Sequence, residues 1–148
     1  MRHIWTILCK NSCIDRETNN ISVFGMLEQL NIIIDSKIQL LLEKEKKVIP
    51  LPSFEIVGLW EKEKTEEGTE VIIEFIDPKN NKLGEFKQRL EVKQQHTRTR
   101  SIIRVASLGV RENGIHYFIV KARQGAKGEF KEVARIPLEV SISIKLNK

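Results

Sequence analysis

The sequence predicts an all-β fold, a sandwich of two antiparallel sheets with at most one short helix. Apolar residues recur mainly at every second position, which is the period of a half-buried strand. Turn-forming residues interrupt these runs about every ten residues, the spacing expected of a sandwich or barrel. A chain of 148 residues, of which 41% are hydrophobic, suffices for one core. We therefore expect a single domain over residues 1–148, with about seven to nine strands.

The N-terminal third is predicted to begin with a strand over residues 1–10. Its apolar run is too short for the core of a secretory signal. Residues 21–34 fit either a long strand or an amphipathic helix, and the β-branched run Ile32-Ile33-Ile34 favours the strand. Residues 35–47 fit either a short helix or a protruding hairpin.

Further strands follow from residue 54 onward. The clearest one covers residues 71–76 and ends in a turn where Asp77 is expected to accept a backbone hydrogen bond. Residues 115–122 are apolar on both faces, as in a central strand. Pro137 lacks a ladder donor, so we expect it at an edge, a bulge or a sheet switch. The predicted core consists of Trp5, Ile7, Leu59, Val71, Ile73, Phe75, Leu90, Phe118 and Val120.

A loop pattern suggests a family. Residues 15–22 spell Asp-x-x-Thr-Asn-x-x-Ser after the first strand, and Glu28-Gln29 closes the next strand. Together with residues 52–60, the Asp77-Pro78 turn, and residues 114–120 and 133–140, this pattern resembles a family of short bacterial proteins catalogued as a domain of unknown function. The resemblance covers most of the chain except residues 35–47. It implies an immunoglobulin-like sandwich and supplies no catalytic residue, cofactor or partner.

The loop itself is a candidate polar site. Its carboxylates, amides and hydroxyls could hold a cation or a small polar ligand. Such side chains also bond to nearby backbone and shape tight loops, and we favour that structural role. An EF-hand is excluded because the central Gly and terminal Glu are missing. The candidate residues are Asp15, Thr18, Asn19 and Ser22.

The most informative local feature is a basic stretch. Between Lys82 and Arg111 there are eight basic and two acidic residues, a net charge of +6 against +5 for the whole chain. If strands 85–93 and 97–105 form a hairpin, one surface would attract phosphates, nucleic acid or an acidic partner. The candidate residues are Lys87, Arg89, Arg98, Arg100 and Arg104.

Two observations support a plainer interpretation of the basic stretch. Aromatic residues, on which single-stranded nucleic acid would stack, are missing from the predicted face. A solvated sheet face, paired with glutamates between residues 61 and 70, explains the same charges. Because alternation places Arg98, Arg100 and Arg104 on that solvent face, we expect their charge reversal to leave folding nearly intact. The candidate ion-pair partners are Glu61, Glu63, Glu66, Glu67 and Glu70.

An enzyme is not predicted. The sequence has no phosphate-binding Gly loop or nucleophile elbow, and its three histidines fall in different predicted elements. Cys9 and Cys13 have no metal-ligand spacing, so we expect free thiols, no metal and no cofactor. The histidines are His3, His96 and His116.

The expected function is that of a non-enzymatic, cytoplasmic protein-interaction or structural module. No apolar run approaches the length of a membrane span, so no membrane partner is expected. The face formed by Ile115, Tyr117 and Ile119 is either packed within the domain or covered by a protein partner, including a second copy of the chain. Nucleic-acid or anion binding through the basic stretch, and an unrecognised enzyme, are the alternatives.

Overall fold

The chain folds into two stacked β-sheets and one short helix. The computed structural model describes residues 1–45, 47–63, 68–91, 93 and 95–145. Their elements are β1 (Arg2–Ile14), β2 (Ile21–Met26), β3 (Gln29–Asp35), α1 (Ser36–Glu45), β4 (Ile49–Pro50), β5 (Phe54–Glu61), β6 (Thr69–Ile76), β7 (Lys82–Leu90), β8 (Arg98–Val105), β9 (Gly109–Val110), β10 (Gly114–Gln124) and β11 (Lys131–Lys145). The prediction of an all-β fold with one short helix is confirmed.

One sheet has the strand order β2-β1-β5-β8, and the other has the order β3-β11-β10-β6-β7. Neighbouring strands are antiparallel, except that β3 runs parallel to β11. Strands β4 and β9 form a small additional sheet that the sequence did not predict. The segment 21–34 is extended, as predicted, but it divides into β2 and β3, which belong to different sheets. The amphipathic-helix alternative for that segment is wrong.

Buried side chains from both sheets meet in one core. The rings of Phe75 and Phe118 stack at 4.5 Å, and Phe54 of the opposite sheet meets Phe118 edge-on at 5.7 Å. The largest fully buried side chain is that of Trp60, whose Nε1 donates a hydrogen bond to Ser101 Oγ at 3.1 Å. Six of the predicted core residues are buried: Val71, Ile73, Phe75, Leu90, Phe118 and Val120.

The other three predicted core residues, Trp5, Ile7 and Leu59, lie half-buried on the outer face of the four-stranded sheet. Leu8 and Trp60 occupy the core positions instead. The error arises because β1 and β5 carry apolar residues on both faces, so alternation alone does not tell which face is inward. An irregularity in the β1–β5 register between His3 and Trp5 also shifts the alternation.

Local signals account for the turns and the helix start. Asp77 Oδ1 accepts the backbone N–H of Asn81 at 2.6 Å, which confirms the predicted turn. Asp35 Oδ1 accepts the N–H of Lys37 at 2.8 Å and so caps α1. Pro137 lies in the part of β11 that precedes the pairing with β3, where β10 is the one hydrogen-bonded neighbour among the described strands. Of the three predicted positions, an edge, a bulge or a sheet switch, the structure therefore shows a local edge within an inner strand.

Candidate functional site

The loop between β1 and β2 is shaped by its own side chains. Asp15 Oδ1 accepts the backbone N–H groups of Glu17 at 2.9 Å and Thr18 at 2.7 Å. These hydrogen bonds to the charged form lower the pKa of the Asp15 carboxyl. Asn19 sits at a positive φ of 55°, which Asn tolerates in a tight loop. The structural role that we favoured for Asp15 is therefore present.

The predicted basic surface is divided between the two sheets. β7 lies at the edge of the five-stranded sheet, and β8 lies at the edge of the four-stranded sheet. Lys87 and Arg89 consequently face outward from one sheet, whereas Arg98, Arg100 and Arg104 face outward from the other. The predicted hairpin is wrong because the chain crosses between sheets after β7. Val92 and Gln94, on which that prediction partly rested, lie outside the described residues.

Most of these cations have carboxylate partners. Lys87 Nζ lies 2.9 Å from Glu85, and Arg89 Nε lies 3.3 Å from Glu91. Arg104 Nε lies 3.2 Å from Glu55, whose side chain is only 9% exposed. These ion pairs match the plainer interpretation of the charges, although none of the three involves the predicted glutamates.

Those predicted glutamates have other partners where the structure describes them. Glu61 pairs with Arg2, Glu63 with the N-terminal amino group, and Glu70 with Arg123. Glu66 and Glu67 lie outside the described residues. Charge on the outer faces is therefore largely compensated, but by pairs that the sequence did not identify.

Arg98 and Arg100 differ from the other cations. Within the described part of the chain, neither has a carboxylate within ion-pair distance. Arg100 instead donates to Asn19, through Nη1 to the side-chain oxygen at 3.3 Å and through Nη2 to the backbone carbonyl. The buried Nε of Arg100 has no hydrogen-bond partner among the described residues. A buried donor without a partner is unusual, but this atom has almost no surface that a ligand could contact.

These contacts bring the loop and β8 together around a groove of about 710 Å³. Trp5 lies on this face because it pairs with Leu59, which in turn pairs with Arg100 across β5. We call this cleft the Arg98–Arg100 groove. It is lined by Trp5, Thr18, Asn19, Asn20, Ile21, Leu59, His96, Thr97, Arg98, Thr99 and Arg100.

The groove joins two predicted sites that the sequence treated separately. Thr18 and Asn19 come from the polar loop, and Arg98 and Arg100 come from the basic stretch. Asp15, Ser22, Lys87, Arg89 and Arg104 do not line it. Sequence reasoning missed Asn20, His96, Thr97 and Thr99, whose only signal was proximity in sequence to the named residues. It also missed Trp5 because it had assigned that residue to the core.

The chemistry of the groove favours an anion. A guanidinium offers a planar fork of donors that matches carboxylate and phosphate oxygens, and both groups are held on a rigid strand. Thr18, Thr97 and Thr99 also line the groove and add neutral polar groups beside the two arginines. The half-buried ring of Trp5 supplies an apolar and aromatic surface in the same cleft.

The remaining candidate groups do not converge on a reaction centre. His116 is fully buried, with Nδ1 3.2 Å from the carbonyl oxygen of Gly114 and its ring stacked on Phe75. His3 Nε2 lies 2.8 Å from Thr6 Oγ1, and burial lowers the pKa of that imidazole. In the described ranges, no group of three or more His, Cys, Asp or Glu side chains is arranged to hold a metal ion.

The outer face of β10 is partly packed within the domain. Ile119 is buried, and the guanidinium of Arg135 lies 5.4 Å from the ring centre of Tyr117. Lys121 Nζ contacts Glu74 at 2.6 Å on the same face. Ile115, at the end of the strand, stays exposed. The predicted contact surface on this face is therefore reduced to one large exposed apolar residue of the three.

Comparisons with known proteins add no family to this description. No protein-family model matches the chain, and no curated protein matches it in sequence. Among the described residues, no helix combines the length and apolar character required to cross a membrane.

Proposed function

We propose that this chain is a non-enzymatic interaction module that binds an anionic segment of a protein partner in the Arg98–Arg100 groove. The observation that carries the proposal is that the two cations of this groove have no carboxylate partners among the described residues. Within the described part of the chain, neither Arg98 nor Arg100 has a carboxylate within ion-pair distance, and Arg100 donates to the neutral Asn19. An acidic side chain of a partner would pair with the exposed Arg98 and with the half-buried Arg100.

The charge pattern elsewhere supports this choice of surface. The other three candidate cations, Lys87, Arg89 and Arg104, already pair with Glu85, Glu91 and Glu55, and an acidic partner would have to displace those contacts. At the groove an acidic partner does not have to displace an existing ion pair, so the free energy of binding is more favourable there. The net charge of +5 would also speed the approach of an acidic partner.

A labelled oligoglutamate peptide tests the proposal. Removing one charge-assisted contact with Arg98→Gln should weaken binding about tenfold. Lys87→Gln, which removes the same charge from the opposite sheet, is the matched control and should bind nearly as well as the unmodified chain. Equal losses in the two variants would show that only overall charge attracts the peptide, and absence of binding at low salt would contradict the proposal.

Single-stranded nucleic acid is the second candidate ligand, and the position of Trp5 favours it. The sequence argued against this function because no aromatic residue was expected near the arginines, yet Trp5 lines the same groove. Trp5→Leu should reduce the affinity for an oligonucleotide more than the affinity for oligoglutamate, because only the bases stack on the indole ring. Oligonucleotide affinity should also fall steeply with salt. Equal effects on both ligands would count against nucleic acid.

We also propose that the chain works in the cytoplasm. Cys9 and Cys13 are both free thiols, as is usual in the reducing cytoplasm. The predicted immunoglobulin-like type of the sandwich and the bacterial source implied by the resemblance remain predictions. Fractionation of cells that express the chain would test its location.

A second copy of the chain is the other partner class. Strands β7 and β8 carry Lys and Arg along their sheet edges, which discourages edge-to-edge pairing. The edge strand β2 has no charged residue, and β3 has only Asp35 at its end. Ile33 on β3 is 71% exposed. Light scattering during size-exclusion chromatography would detect a dimer, and Ile33→Lys should abolish it.

A further inference from the structure

Helix α1 stands over a cavity at one end of the sandwich. None of the residues of α1 is buried, so the helix does not close tightly on the sheet beneath it. The space between them is about 470 Å³, which is within the size range of small-molecule sites. It is lined by Ile34, Gln39, Leu42, Glu43, Lys47, Ile49, Arg111, Asn113, Ile142 and Ile144.

One wall of this cavity is aliphatic. Ile34 of β3 and Ile144 of β11 are register partners in the parallel pair and form one continuous surface. Ile142 lies two residues earlier on β11, and Leu42 projects from the helix on the other side. Beside this wall water finds few hydrogen-bond partners, whereas a hydrocarbon chain gains free energy by leaving water.

The polar groups of the cavity are not equivalent. Lys47 pairs with Glu45, and the Glu43 carboxylate accepts a hydrogen bond from Gln39 at 2.9 Å. Asn113 Oδ1 accepts the backbone N–H of Ile142. Arg111 is exposed and has no ion pair within the described ranges. Two cations, Lys47 and Arg111, and one carboxylate, Glu43, therefore line the cavity, and of the two cations only Arg111 has no carboxylate partner within the described ranges.

We propose that this cavity binds a small amphipathic anion, a carboxylate carried by one unbranched aliphatic chain. The chain lies against Ile34, Leu42 and Ile142, and the carboxylate pairs with Arg111. Charge complementarity selects the anion, and the aliphatic wall selects the chain. Because the helix roofs the space, a slender ligand fits it better than the surface of another protein. This site is separate from the Arg98–Arg100 groove and does not depend on its function.

Decanoate, with 1-decanol as an uncharged control, tests the site on the full chain. Calorimetry should show that decanoate binds more tightly than decanol. Arg111→Gln should reduce the affinity for decanoate about tenfold, as expected for loss of a charge-assisted hydrogen bond. The affinity for decanol should stay unchanged. Arg98→Gln, the variant that disables the groove, should bind decanoate like the unmodified chain.

A second set of variants tests the position of the hydrocarbon. Ile142→Phe should fill the cavity and reduce the affinity for both decanoate and decanol. If that variant does not fold, Leu42→Phe makes the same test from the helix side, where the wall has more freedom to move. In amide NMR spectra, decanoate should shift resonances of α1 and the end of β11. Shifts confined to other regions, or equal binding by the Arg111→Gln variant, would overturn the proposal.

Discussion

The guanidinium of Arg100 donates hydrogen bonds to both oxygens of Asn19, a residue 81 positions earlier in the chain. One acceptor is the backbone carbonyl of a residue at positive φ, and the other is its side-chain amide oxygen. The contact fastens the loop between β1 and β2 to β8, on the far side of β5. It therefore sets the width of the groove in which both residues lie.

Removing this contact should loosen the loop without unfolding the sheet. In the Arg100→Leu variant we expect faster hydrogen exchange at the amides of Thr18 and Asn19, because among the described residues the loop then keeps only its internal hydrogen bonds. Exchange in β5 should be unchanged. Arg98→Leu is the control, and it should leave the loop amides as they are. Unchanged exchange in the Arg100 variant would show that the loop is held by its own hydrogen bonds alone.

Neutralising Arg104 should cost more stability than neutralising Arg98. Arg104 pairs with Glu55, which is 7% exposed and, among the described residues, has Ser12 as its one further side-chain donor. We expect Arg104→Gln to cost about 1 kcal/mol, because the buried Glu55 loses one donor, whereas the 85% exposure of the Arg104 side chain screens the pair. Arg98→Gln should cost less than about 0.5 kcal/mol. Urea denaturation measures both, and equal losses would show that Glu55 does not need Arg104.

This difference revises an expectation from the sequence. Alternation correctly placed the three arginines of β8 on an outer face, but it treated that face as uniformly solvated. The partner of Arg104 is a buried glutamate on β5, a neighbour that only the strand order reveals. Reversal of all three charges is therefore expected to destabilise the fold, mainly through Arg104.

The distinction between alternation along one strand and the order of strands in a sheet explains how much of the structure was predictable. Strands are visible in local alternation, as at Val71, Ile73 and Phe75, and most of them were identified. Sheet membership is a long-range property: β7 and β8 alternate identically whether they form a hairpin or cross between sheets. The groove was predictable only in parts, because the meeting of Asn19 with Arg100 depends on the order β1-β5-β8.

The two faces of β1 can be separated by a pair of adjacent substitutions. Leu8 is buried in the core, whereas Ile7 is half-buried on the outer face. Leu8→Ala should cost about 2 to 5 kcal/mol through lost burial and a cavity. Ile7→Ala should cost clearly less, since part of its side chain stays in contact with water. Chemical denaturation of the two variants gives the comparison, and a larger loss at Ile7 would mean that the faces are reversed.

The two thiols should react at very different rates. Cys13 is exposed, whereas Cys9 is fully buried. Burial raises the pKa of the Cys9 thiol, and the nearby Glu55 carboxylate raises it further. Less thiolate is then available to react. Under native conditions a disulfide reagent should label Cys13 quickly and Cys9 slowly, and both should react quickly in denaturant. Cys13→Ser should remove the fast phase, and persistence of that phase would assign it to Cys9.

The pKa of the Glu85 carboxyl group should lie far below its ordinary value. Lys82 Nζ lies 2.7 Å from Oε2, and Lys87 Nζ lies 2.9 Å from Oε1, so each oxygen faces its own ammonium group. These contacts lower the pKa of Glu85 from 4.5 to about 2. The folded state therefore binds fewer protons than the unfolded state in this range. The stability that Glu85 contributes is complete above pH 4.5 and is lost as the pH falls towards 2.

Carbon-13 NMR of the Glu85 carboxyl group measures this titration directly. A midpoint near the ordinary value of 4.5 would contradict the predicted shift. Lys82→Met should move the midpoint upward because one ammonium group is removed. Lys79→Met, which removes a lysine paired with Glu112, is the matched control and should leave it unchanged. The difference in unfolding free energy between the unmodified chain and Glu85→Gln should shrink towards pH 2 and also in high salt, since exposed charges are screened there.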